Sequence, residues 1–207
     1  MGFRSITVTV VVGVLAFGSP ASAEWFADGY IGAALTSKDE VTFTTFGRER
    51  TQDVDYKSSP VFGLRFGRWF DQLPWLGVAV DGSYFRANAD LQVSPLSALL
   101  MLRYGFLRDD DLKEGRLQPY AGIGGGIFIS NLDGAIGFID GSDTSVDPGL
   151  DVRAGLAWRV ETSWAAFLEY RFTHVSPTYT IEPFGGPTSG HTTLNTHHLV
   201  LGLSYRF

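Results

Sequence analysis

The chain contains no cysteine, which excludes a disulfide framework, a thiolate metal site and a cysteine nucleophile. It has only three lysines, Lys38, Lys57 and Lys113, and only 18% of its residues are charged. The first 23 residues hold one Arg and no acid, leaving 15 basic against 22 acidic side chains and a formal charge of −7. A nucleic-acid binder would carry a basic stripe, so no nucleic-acid partner is expected. Disorder is excluded by an apolar content of 44%. After residue 23 no apolar run approaches the roughly 20 residues of a spanning helix. What the sequence has in abundance is glycine, 25 residues, and aromatic side chains, 14%. Low charge beside many glycines and aromatics suits a sheet protein whose outside faces something apolar.

Residues 1–23 read as an export signal. Met1 and Arg4 give a thin positive start, Ile6 to Gly18 is apolar, and Ser19-Pro20-Ala21-Ser22-Ala23 supplies a helix breaker and a small-x-small cleavage pattern. Cleavage is expected before Glu24, leaving one domain over 24–207.

Beyond the signal the pattern has period two. Leu199, Leu201, Leu203, Tyr205 and Phe207 alternate with His198, Val200, Gly202, Ser204 and Arg206. Val152 to Val160 and Ala166 to Phe172 repeat the alternation, as do Phe62, Leu64 and Phe66 against Gly63, Arg65 and Gly67. A soluble sandwich also alternates, so three further features decide. The polar faces mix Gly, Ala and Ser with single Arg, Asp or Glu residues, as in the filled lumen of a narrow barrel. The segments are long for soluble strands. Trp25, Trp69, Trp75, Tyr104, Tyr120, Trp158, Trp164, Tyr205 and Phe207 lie near segment ends, where interfacial girdles form.

These features predict an all-β fold, an eight-stranded antiparallel up-and-down transmembrane β-barrel. Its strands are expected at 25–36, 58–70, 75–86, 93–107, 118–130, 149–160, 164–175 and 196–207. Short turns at one end would alternate with loops 37–57, 87–92, 131–148 and 176–195 at the other. Pro95 cannot donate to a ladder and is expected at the start of the fourth strand.

Parity turns Arg65, Arg103, Arg153, Arg159, Arg171 and Arg206 inward with Asp81, Asp151 and Glu169. Confined charges must pair or reach water. An eight-stranded interior is just wide enough for side chains, so a plug of paired charges is favoured over an ion path. All four histidines, His174, His191, His197 and His198, fall at the outer rim. His191, His197 and His198 are candidate ligands for a divalent cation; no other cofactor is expected.

The segments Tyr30-Ile31-Gly32, Pro119 to Gly126, Glu169-Tyr170-Arg171-Phe172 and Leu201 to Phe207 resemble the small eight-stranded outer-membrane β-barrels of Gram-negative bacteria, the opacity/OmpA-like porin group. The resemblance implies an outer-membrane location, a monomer, contact with outer-membrane lipids and lipopolysaccharide, and Phe207 as the signal read by the assembly machinery. It implies a structural, surface-interaction or narrow-pore role.

The alternative is a lipid A-modifying enzyme, deacylase-like or oxidase-like. His174 and Ser176 are two apart and share a face; they resemble the His-x-Ser of lipid A deacylases, with Glu182 as the acid that would orient the imidazole. Pro177 departs from that family, which has Asn there, and the spacing to the acid does not match.

Overall fold

The first and last strands pair with each other, and this closes the sheet. The computed structural model describes residues 24–37, 39–45, 48–54, 58–87, 91–136, 139–181 and 188–207. Eight strands form the barrel wall: β1 (Glu24–Thr36), β4 (Ser58–Trp69), β5 (Leu76–Arg86), β6 (Leu91–Arg103), β7 (Leu117–Ile136), β8 (Ile139–Arg159), β9 (Trp164–Val175) and β12 (Leu194–Arg206). Each is antiparallel to both neighbours, in the order β1-β12-β9-β8-β7-β6-β5-β4, with β4 returning to β1. The seam registers Phe26 with Arg206 and Thr36 with Thr196. Closure leaves no unpaired edge, the condition for a sheet to cross a bilayer. The proposed signal, residues 1–23, lies outside the described residues.

Side chains obey the alternation. Leu64, Ile31 and Leu201 stand 72%, 69% and 62% exposed on the outer wall, while Arg65, Arg153 and Glu169 are buried inside. So much contiguous apolar exterior is incompatible with water and suited to hydrocarbon.

Four features differ from the sequence reading. The fourth expected strand, 93–107, ends at Arg103. Leu107 takes a positive φ of 56° and Gly115 one of 91°, which folds the chain back so that Phe106 bridges Leu117. Pro95 lies inside β6, in register with Phe128 of β7. Its missing N–H is accommodated on the other side, where the β5–β6 ladder skips Ser83 and Tyr84 between the pairs Gly82–Leu96 and Phe85–Val93. Trp69 and Tyr120, expected in the girdle, point inward. Trp69 shares the parity of Arg65 and Gly67, and Tyr120 that of Gly122; proximity to a strand end does not override parity. Trp25, Phe66, Tyr205 and Phe207 do form an outward aromatic cluster at the inner end, with centroids 5.3–6.4 Å apart.

Three of the expected loops carry strands. Segment 131–148 continues β7 and β8 as one paired ribbon to Ile136 and Ile139, because a hairpin with its register already set in the wall simply extends. Segments 37–57 and 176–195 contribute β2 (Asp39–Thr45), β3 (Arg48–Val54), β10 (Thr178–Ile181) and β11 (Thr188–His191). These make a second sheet in the order β10-β11-β2-β3, in which β2 pairs with β11 and ties the first outer segment to the last.

The run Gly122 to Gly126 lets adjacent backbones approach. A Cβ on Gly124 would sit 1.9 Å from the Ala98 carbonyl oxygen, whereas one on Gly125 would find its nearest neighbour, the Gly149 oxygen, at 3.5 Å. Gly124→Val should therefore cost about 1–3 kcal/mol or more and prevent closure, while Gly125→Ala folds. Heat-modifiable gel mobility after refolding into detergent reads the difference; equal folding of both variants would contradict it.

Candidate functional site: the filled lumen and the outer rim

From the outer end inward, the lumen is packed in layers. Val61, Phe85, Leu91, Val93, Phe128, Leu132, Val175, Leu194 and Val200 are buried together and fill the outer end with hydrocarbon. His198 lies beneath, its ring edge-on to Phe85 at 4.8 Å and its Nε2 3.1 Å from the Thr173 hydroxyl.

The middle layer is ionic. Arg153 contacts Asp81 at 2.9 Å, Asp151 at 2.5 Å and Glu169 at 3.5 Å. Arg171 reaches Asp81 and Glu169, both at 3.2 Å. Arg65 joins Glu169 at 2.5 Å to Asp28 at 2.6 Å. The Tyr30 hydroxyl donates to Asp81 at 2.8 Å and the Tyr120 hydroxyl to Glu169 at 2.9 Å. Arg171 also lies over the Tyr30 ring at 4.7 Å. Taking charges out of water carries a penalty of several kcal/mol per ion, offset only where partners and hydrogen bonds are dense. Here three guanidiniums interleave with four carboxylates drawn from β1, β5, β8 and β9. The layer bolts opposite walls together across the axis. Below it, between Asp28, Arg65, Met101 and Arg103, remains a void of about 20 Å³, room for one water.

The innermost layer gathers Arg103, Arg159 and Arg206 on Glu24, at 2.5, 2.9 and 3.1 Å. Arg206 also donates to Gln118 at 2.9 Å, and Arg103 stacks on Trp69 at 4.4 Å.

Sequence reasoning missed Glu24, Asp28, Tyr30 and Tyr120 as members of these layers. The signal was available: Glu24, Phe26, Asp28 and Tyr30 alternate with Trp25, Ala27, Gly29 and Ile31, the same parity rule applied to the first strand.

At the rim, His174 Nδ1 lies 2.8 Å from Asn195 Oδ1, and Ser176 Oγ lies 3.4 Å from Thr193 Oγ1. Each is engaged with the segment leading into or forming β12; no hydrogen bond joins His174 to Ser176 among the described residues. Glu182 lies outside the described residues. His197 Nδ1 pairs with the outward Tyr170 hydroxyl at 2.6 Å, while its neighbour His198 is buried inside. Consecutive residues of one strand face opposite ways, so His197 and His198 cannot close on one ion. His191 lies on β11, where its backbone is paired with Thr178 and Thr42. Among the described residues no three His, Asp or Glu side chains are grouped to hold a metal.

An all-antiparallel closed cylinder of eight strands, apolar outside and packed with ion pairs inside, defines a transmembrane β-barrel. The family model of the outer membrane protein beta-barrel domain matches residues 9–207, and the chain belongs to that family. Its fold is similar to that of OprG from Pseudomonas aeruginosa, with a TM-score of 0.64 at 12% identity over 90% of this chain and 97% of that one. It is likewise similar to the Neisserial surface protein A, with a TM-score of 0.55 at 13% identity over 90% and 99%. At such identities the likeness is one of fold. No curated protein matches the sequence.

Glu169 receives all three mid-lumen guanidiniums. Glu169→Gln keeps its size and removes the carboxylate that all three guanidiniums share, though each keeps another acid, and should destabilise the barrel by about 1.5–3 kcal/mol, the worth of a hydrogen bond to a charged group. Urea unfolding in lipid vesicles, followed by tryptophan fluorescence, measures this; an unchanged midpoint would show that the ionic layer does not bear on stability.

Proposed function

We propose that the chain is a monomeric protein of a Gram-negative outer membrane, exported by a signal peptide cleaved before Glu24, whose barrel is a sealed anchor and whose outer β-structure serves surface interaction. The observation that carries this reading is the contrast between the two ends of the molecule. From its outer end through the ionic layer the lumen is occupied by side chains, with a void of about 20 Å³ beneath that layer. Outside it, β2, β3, β10 and β11 form an ordered sheet beside the elongated β7–β8 ribbon. Chain invested in paired strands above a plugged cylinder serves contact better than passage.

In this reading lipids and lipopolysaccharide contact the apolar wall and its rim, and Phe207 ends the strand that the assembly machinery reads. The Tyr170–His197 and His174–Asn195 pairs face the bilayer side near the outer end and suit polar headgroups.

Two measurements test the proposal. Purified barrel in planar bilayers should give no steady conductance. Deleting 39–54 should abolish binding to cell surfaces or envelope ligands while the barrel retains heat-modifiable mobility. A stable open channel in the intact protein, or full binding by the deletion variant, would overturn it.

A further inference from the structure

We propose that the inner mouth of the barrel is a binding site for a small oxyanion, a phosphate or carboxylate group on a water-soluble molecule. Four strand ends build it: Glu24 from β1, Arg103 from β6, Arg159 from β8 and Arg206 from β12. Three guanidiniums share one carboxylate, so the cluster carries a formal charge of +2. The mid-lumen layer is balanced the other way, with four carboxylates for three guanidiniums. Excess positive charge held in a buried setting is unfavourable without an anion nearby.

The inner-mouth arginines are not solvated substitutes for lysine. Arg103, Arg159 and Arg206 are 7%, 5% and 6% exposed, and the Nε groups of Arg159 and Arg206 are buried without a hydrogen-bond partner. Arg103 has its guanidinium carbon 4.4 Å over the Trp69 ring, and its Nε donates to the Pro74 carbonyl at 2.8 Å, which restrains its orientation. Arg159 is tied to the Thr162 carbonyl. Guanidiniums held this way present a fork that fits oxyanions.

Beside them lies a cavity of about 340 Å³, lined by Arg103, Arg159, Glu24, Trp69, Asp71 and Glu114 together with Phe70 and Pro74. Of its other acids, Asp71 is paired with Arg68 at 3.6 Å. The lining itself sets Arg103 and Arg159 against Glu24, Asp71 and Glu114; with the Asp71–Arg68 pair neutral and Arg206, which reaches Glu24 from outside the lining, counted in, the group carries a formal +1. Glu24 occupies the centre of the three arginines as a ligand oxyanion would, so it competes with the ligand.

This inference does not depend on the surface-interaction reading, and solution binding tests it whether or not the barrel conducts. Calorimetric titration of the detergent-solubilised barrel with inorganic phosphate and with acetate, against chloride at equal ionic strength, should show saturable binding. Arg159→Gln and Arg103→Gln should weaken it roughly tenfold or more, the effect of losing one charge-assisted hydrogen bond. Arg159→Lys, which keeps the charge and the fold but not the fork, should not restore full affinity. Glu24→Gln should strengthen binding several-fold. Lys113→Gln, on the neighbouring turn but outside the cavity, should leave it unchanged. Heat released by phosphate and acetate no greater than by chloride would overturn the site, as would equal losses in Lys113→Gln and Arg159→Gln.

Discussion

The sharing of Glu169 among Arg65, Arg153 and Arg171 is the interaction on which the rest depends. A closed eight-stranded sheet has a fixed interior, and in a bilayer no water fills it unless the side chains leave room. Arginines are long enough to cross the axis, and carboxylates on the facing strands receive them. The same contacts fill the cylinder, neutralise most of the charge, and connect walls that are distant along the chain.

The outer surface follows from the opposite requirement. With the backbone paired around the ring except at the Pro95 gap, the remaining demand is an apolar face, met by one residue in two along each strand. Glycines complete the arrangement where a side chain on one strand needs the space of its neighbour: a Cβ on Gly63 would meet the Tyr30 hydroxyl at 2.3 Å, and one on Gly155 the Tyr120 ring carbon at 2.4 Å. The two tyrosines that bond the ionic layer thus depend on glycines of adjacent strands.

Much of this was legible in the sequence, because a period of two is a strictly local signal. It assigns Arg65 and Leu64 to opposite faces without knowledge of any partner. Parity does not say which carboxylate meets which arginine, since that depends on the stagger between strands. Nearness to a strand end is the weaker signal: Trp69 and Tyr120 lie close to strand ends, yet parity turns both inward. The sheet formed by β2, β3, β10 and β11 had no local signature, for β2 and β11 are separated by most of the chain and their pairing is set by the barrel bringing both segments to one end. Pro95 sits deeper in β6 than the start of the strand because its tolerance depends on a gap in the neighbouring ladder.

Because the chain has no cysteine, single thiols can be introduced without background. The most direct measurement is a cysteine scan of residues 199–205 on β12 in lipid vesicles, with brominated lipid quenching a thiol-attached fluorophore at outward sites and a water-soluble maleimide probing inward ones. Positions 199, 201, 203 and 205 should be quenched by the lipid, and 200 and 204 should stay unreactive toward the aqueous reagent until the barrel is unfolded. Rapid aqueous labelling at 200 and 204 in the folded protein would mean a wet lumen and contradict the account.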